Sequence, residues 1–140
     1  MLDETVAYLW LPPKPEDFVQ FRMDCGWGKV SVEAAMRALD KSVIDLTCFD
    51  GENRVGMGRV VGDGALYFYL QDVIVKPDYQ NQSIGRQIVS RLLEKILAQA
   101  EVGATIGLMS ATGKEAFYQH FGFQERPSEQ LGAGMTRFVL

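Results

Sequence analysis

A chain of 140 residues with 47% hydrophobic and 23% charged residues suffices for a single domain, 1–140, that buries roughly two thirds of its unfolded surface without disulfides or metals. Lys plus Arg at 14 against Asp plus Glu at 18 leaves a net charge of −4, without the basic field that nucleic-acid binding uses. Two cysteines lacking CxxC spacing and one histidine leave no structural metal site, and no apolar run approaches the ~20 residues that span a bilayer.

In chain order, Met1-Leu2-Asp3-Glu4 is acidic and has no basic start of a signal peptide, so cytoplasmic residence without a membrane partner is expected. Thr5 to Leu11 reads as a first strand, stopped by Pro12-Pro13. Pro15, Glu16 and Asp17 suit a helix start, with Phe18 and Phe21 facing inward. Cys25-Gly26-Trp27-Gly28-Lys29 interrupts that helix. Ser31 caps another, with Val32, Ala35, Met36 and Leu39 on one stripe. Val43 to Phe49 and Arg54 to Val61 form a hairpin about Asp50-Gly51, and the glycine-bearing face of its second strand, Gly56 and Gly58, admits a close neighbour. Gly62-Asp63-Gly64 turns the chain into a third antiparallel strand, Ala65 to Val75.

The stretch from Gln71 to Ala100 organises the rest. A buried apolar run, Asp72-Val73-Ile74-Val75, ends near Lys76 because Pro77 cannot continue a ladder. Ile84, Ile88, Leu92 and Ile96, with Val89, Leu93 and Leu97 on the adjoining row, mark a long helix starting at Ser83 or Ile84. Its first N–H groups have no intrahelical partner, and the dipole adds partial positive charge, so the Gln80–Arg86 turn suits a phosphate; an ordinary βα loop with a Ser N-cap explains the same residues without a ligand. Beyond it come a short strand, Thr105 to Met109, a short helix, Gly113 to His120 with Ala116 and Phe117 inward, a strand after Gly122-Phe123, and a last strand, Met135 to Leu140. The order β-α-α-β-β-β-α-β-α-β-β predicts an α+β mixed sheet.

Two motifs resemble the GNAT superfamily of N-acetyltransferases. The first is V-x-V-x-P-x-Y-Q before the long helix, with Gln80, Ser83 and Gly85 at the defined positions of the family's Gln/Arg-x-x-Gly-x-Gly/Ala loop; Ser83 departs from glycine. The second is Phe117-Tyr118-Gln119-His120-Phe121-Gly122-Phe123. The resemblance covers about residues 54 to 123 and implies a mostly antiparallel sheet with one parallel, splayed pair and flanking helices. It also implies acetyl-CoA as co-substrate, a primary amine of a small molecule as acceptor, direct transfer, and, by analogy, a homodimer.

On that resemblance Val73, Ile74 and Val75 supply main-chain contacts to the pantetheine arm. Gln80, Asn81, Gln82, Ser83, Ile84, Gly85 and Arg86 cradle the pyrophosphate, Arg86 being equally readable as a solvated helix residue. Lys114 or Thr112 stands in for an Asn of the family that Ala111 replaces. Tyr118 is the general acid for the departing thiolate, because a phenol with a pKa of about 10 is protonated at neutral pH; the alternative is a core aromatic with its hydroxyl at the rim. A main-chain N–H around Val73 is the oxyanion donor. Asp72 or Asp63, either acting through water, is the candidate base, with a turn role competing at Asp63, and His120 reads as a surface histidine. Phe21 and Trp27 are candidate acceptor walls, Trp27 being equally a loop anchor. The competing class is a non-catalytic acyl-CoA-binding module of the same fold. A nucleotide site is disfavoured, as the chain has no Walker lysine and no G-x-G-x-x-G.

Overall fold

The computed structural model describes residues 5–140; the acidic start, residues 1–4, lies outside them. The chain divides into two compact units, Met1–Ile106 and Gly107–Leu140.

In the first unit, β1 (Val6–Leu9) pairs antiparallel with β2 (Ile44–Asp50), β2 with β3 (Asn53–Gly62), and β3 with β4 (Tyr67–Val75). The sheet runs in the order β1-β2-β3-β4-β5, with β5 (Thr105–Gly107) reached through the long helix and forming the one parallel pair. Helices α1 (Pro15–Asp24) and α2 (Val32–Asp40) join β1 to β2, and α3 (Ile84–Leu97) follows β4. Ser31 caps α2 as expected, its Oγ accepting from Ala34 N at 3.0 Å. The third antiparallel strand begins two residues later than its composition suggests. The Asp63 carboxylate takes the N–H groups of Ala65, Leu66 and Tyr67 at 2.8–3.0 Å, which holds Ala65 and Leu66 in the turn ahead of the strand.

Side chains of α1 and α2 cover one face of the sheet, where Phe18, Val19, Phe21, Ala35 and Leu39 form a cluster with Met57 and Ile74. Only Ala35 and Leu39 of the expected α2 stripe are buried; Val32 and Met36 stay exposed. On the other face α3 buries Ile84, Ile88, Val89, Leu92 and Ile96, as its periodicity predicts, while Leu97 at its end is exposed. Gly58 admits that helix, and Gly56 lets the backbone of β4 come close. A Cβ at Gly58 would stand 2.5 Å from Ile88 Cγ2 and 2.8 Å from Leu92 Cδ1, and one at Gly56 would stand 2.9 Å from Ile74 O.

The second unit contains one helix, α4 (Glu115–Gln119). It is shorter than the expected 113–120 because Gly113 is left-handed (φ 86°), and Ala116 is exposed rather than inward. The two strands expected after Phe123 and at 135–140 do not form. An isolated bridge, Ser128 to Leu131, is the only strand-like pairing among the described residues there. Strand propensity without a neighbouring ladder to pair with leaves such segments irregular.

Candidate active site

The centre of the first unit is an irregularity in β4. Met57 pairs with Ile74 and Arg59 with Gln71, so Asp72 and Val73 together oppose the single residue Gly58. Two residues facing one is a β-bulge, and Asp72 stands in the left-handed region at φ 58°. Asp is among the few non-glycine residues that enter this region with little penalty. A bulge takes main-chain groups out of the ladder, and the two residues it leaves unmatched are Asp72 and Val73, the latter the expected oxyanion donor. Val73 and Val75 are half-buried, whereas Ile74 is core.

Asp72 does not have the surroundings of a base. Its side chain is 1% exposed, with Oδ2 3.3 Å from Arg59 Nη1 and Oδ1 3.5 Å from Arg22 Nη1. Gln71 Nε2 donates to Oδ1 at 3.4 Å. Arg59 is held in turn, Nε donating to Ser42 Oγ and Nη2 to Ala38 O, each at 2.7 Å. A carboxylate whose two oxygens both face guanidinium groups, away from water, serves as a counter-ion, and we therefore read Asp72 as part of the scaffold beneath the bulge. Asp63, the other candidate, spends its carboxylate on three backbone N–H groups, which lower its pKa, and so has the turn role.

The turn after β4 passes through one 3₁₀ turn, Pro77–Tyr79, whose Tyr79 hydroxyl bonds Asp50 Oδ2 at 2.7 Å. Gln80 reaches back, Nε2 donating to Val75 O at 3.1 Å, and so ties the turn to the strand end. Asn81 and Ser83 are both left-handed, at φ 65° and 68°. Alternation of backbone handedness turns successive N–H groups toward one side. Helix α3 then starts at Ile84 with no side-chain cap. Of the readings left open for Ser83, a hydroxyl that caps the helix is not realised, because a left-handed N-cap residue lacks the extended backbone that capping requires. Its φ also explains what a glycine at this position gives the family: freedom from strain. At Gly85 an added Cβ would meet only Val75 Cγ2, at 4.0 Å. Uncapped N–H groups beside this open position suit a pyrophosphate. Ile84 is buried and contributes its main chain alone, while Gln80, Asn81 and Arg86 are exposed.

Among the residues expected to face an acceptor, Trp27 is 41% exposed between left-handed Gly26 and Gly28, with Arg22 Nη2 donating to its carbonyl at 3.5 Å and the Arg22 guanidinium 6.0 Å from its ring centre. Phe21 is 1% exposed inside the α1–α2 cluster, so it supports that side and is not a wall open to an acceptor. Sequence reasoning passed over Arg22 and Arg59. The signal for Arg59 was present: a lone charge in Val55-Gly56-Met57-Gly58-Arg59-Val60-Val61, on a core-facing register, requires a partner.

In the second unit, Lys114 precedes α4, with Tyr118 N donating to its carbonyl at 3.2 Å. Tyr118 makes edge contacts with Phe117 (ring centres 5.1 Å) and Phe123 (6.0 Å). Burial pushes its phenol pKa above 10, which keeps the proton on oxygen at neutral pH. His120 is exposed, as expected, with its ring edge-on to Phe121.

Comparison with known proteins agrees with this geometry. Residues 45–125 match the family model of the acetyltransferase (GNAT) domain. An uncharacterized N-acetyltransferase ycf52 of Gracilaria tenuistipitata var. liui is 26% identical over 111 residues, 76% of this chain and 60% of that protein. The chloroplastic GCN5-related N-acetyltransferase 2 of Arabidopsis thaliana is 35% identical over 83 residues, 56% of this chain and 31% of that one. The chain thus spans less than two thirds of the length of these relatives. Among solved structures, a probable acetyltransferase of unknown function from meticillin-resistant Staphylococcus aureus superposes with TM-score 0.87 at 28% identity, covering 96% of this chain and 99% of that one. A GNAT-family acetyltransferase of Streptococcus pneumoniae gives 0.76 at 26% identity, covering 96% and 98%. With over half of its length matched by the family model, and with the sheet of those structures, the chain belongs to the GNAT family of acetyltransferases.

Proposed function

We propose that this domain, 1–140, transfers the acetyl group of acetyl-CoA to a primary amine of a small molecule by direct attack. The observation that carries this reading is the pairing, in one compact unit, of a bulge at Asp72 and Val73 with an uncapped helix start at Ile84. The helix start and the Gln80–Arg86 turn bind the pyrophosphate, and Val73 to Val75 hold the pantetheine arm by main-chain hydrogen bonds. The amine attacks as the free base. Its nitrogen bonds the thioester carbon, the Val73 N–H stabilises the oxyanion, the carbon–sulfur bond breaks, and Tyr118 gives its proton to the thiolate; the nitrogen's surplus proton leaves to water. Lys114 assists cofactor binding, and Trp27 forms a wall for the acceptor. The net charge of −4 disfavours nucleic acid as partner. No helix among the described residues is long and apolar enough to cross a membrane.

The test is a thiol-release assay with acetyl-CoA against a panel of amines, comparing wild type with Tyr118→Phe. The variant is expected to lose about 10²-fold in kcat with KM for acetyl-CoA unchanged. Because burial raises the phenol pKa, an alkaline fall in wild-type kcat belongs above pH 10 and vanishes in the variant. Calorimetric binding of acetyl-CoA without turnover of any amine would support instead a non-catalytic acyl-CoA-binding module, the reading that a strained serine at position 83 favours.

A further inference from the structure

Two guanidinium groups share the Asp72 carboxylate, and they are not equally satisfied. Arg59 bonds from all its nitrogens: Nε to Ser42 Oγ and Nη2 to Ala38 O at 2.7 Å, and Nη1 to Asp72 Oδ2 at 3.3 Å. Arg22 bonds Asp72 Oδ1 and Trp27 O, each at 3.5 Å, whereas charge-assisted bonds ordinarily close to about 2.7–2.9 Å. Its buried Nε has no acceptor. Among the described residues Asp72 is the only carboxylate in an ion pair with Arg22; Asp24, on the same helix, takes Gln20 Nε2 at 2.8 Å. A guanidinium offers more N–H donors than these bonds use and cannot shed its charge, so much of the Arg22 fork is unspent.

Its location gives that surplus a use. Asp72 is joined to Val73, the proposed oxyanion donor, so covalent geometry and the ion-pair distance hold the Arg22 guanidinium within roughly 10 Å of the Val73 N–H. The Arg22 side chain is 22% exposed against 10% for Arg59, so Arg22 is the one a solute reaches. Beside it the half-open Trp27 ring has its centre 6.0 Å from the guanidinium. A cation next to an open aromatic plane suits a molecule with a short apolar chain and an anionic end. A planar carboxylate matches the guanidinium fork, whereas a dianionic phosphate would face Asp72 and a net charge of −4 with one cation to hold it. We propose that Arg22, with Trp27 beside it, receives a carboxylate of the acceptor, which makes the acceptor an amino acid: a primary amine joined to a carboxylate by a short carbon chain. The inference rests on the amine transfer proposed above and names its substrate class.

The test is the thiol-release assay on matched pairs, β-alanine against ethylamine and γ-aminobutyrate against propylamine. Each amino acid is expected to show a kcat/KM roughly 10–100-fold above its partner, the worth of one hydrogen-bonded charge, and Arg22→Gln should bring the ratio near one. Arg22→Lys, which keeps a charge for Asp72 without the planar fork, should fold as wild type and retain only part of the ratio. A purely structural Arg22 would lower both rates and keep the ratio, and that result overturns the proposal. So does a wild type without the preference, or one that prefers aminoethylphosphonate to β-alanine; in each of these cases acetyl transfer stands. Binding is read separately, from Trp27 fluorescence in a Trp10→Phe background titrated with γ-aminobutyrate and with propylamine. A saturable change with γ-aminobutyrate alone, abolished by Arg22→Gln, upholds the carboxylate site even where no amine turns over, and then only the transfer reading fails. No saturable change together with no turnover ends both.

Discussion

Replacing Asp72 by alanine removes the shared counter-ion of two arginines. The Arg59 side chain is 10% exposed and loses its carboxylate at 3.3 Å, while that of Arg22 is 22% exposed, lies 3.5 Å away and rehydrates more readily. Breaking a buried pair from one side typically costs roughly 3–5 kcal/mol, because the remaining charge is left uncompensated. Arg59 keeps its 2.7 Å bonds to Ser42 and Ala38, so the lower end, about 3 kcal/mol, is expected. Asp72→Asn separates charge from conformation, since Asn also tolerates φ 58°. The assay is urea unfolding at fixed protein concentration, with Arg59→Met and the double variant completing a cycle. The pair replaced together should be less destabilised than the two single losses summed, by about 1–3 kcal/mol. An Asp72→Ala protein within about 0.5 kcal/mol of wild type, or strict additivity in the cycle, would refute the scaffold role.

Three further outcomes follow from packing and backbone. Cys48 is fully buried with its thiol pushed up to about 12, while Cys25 is exposed; iodoacetamide at pH 8 should label one thiol in the native protein and two in urea, by mass spectrometry. Gly58→Ala forces Ile88 and Leu92 away from β3 and should cost about 1–3 kcal/mol in the same unfolding assay, whereas Gly103→Ala, strained but in open space, should cost less. Ser83→Gly removes left-handed strain of roughly 1 kcal/mol, so the melting temperature should rise slightly and KM for acetyl-CoA should fall.

Periodicity carried far in this chain because most elements bury a single stripe. The Ile84–Ile96 spacing specifies α3 and its covered face, and the glycines of β3 announce a close neighbour, which at Gly58 proves to be that helix. The bulge was not legible. Asp72-Val73-Ile74-Val75 reads as uninterrupted strand, and only the three-dimensional register shows two residues set against Gly58. For the same reason Asp72 could not be told apart from a base: its role depends on Arg22, fifty residues earlier, and on Arg59 across the ladder. Phe21 failed as a wall because a helix spacing gives a face but not the depth at which it lies. The C-terminal strands failed because composition cannot report whether a partner edge exists.

The two faces of the sheet differ in how much sequence change they can absorb. Beneath α3 the contact is made against bare backbone at Gly58, where a single methyl group already collides with Ile88 and Leu92, so the helix has one seat and no adjustable shim. Across the sheet, α1 rests on Phe18, Val19, Phe21 and Met57, interlocking side chains whose volumes can be exchanged against one another. An engineer should therefore vary the α1 side and leave the α3 side alone: one face of the sheet is a fixed chassis, the other a replaceable fitting.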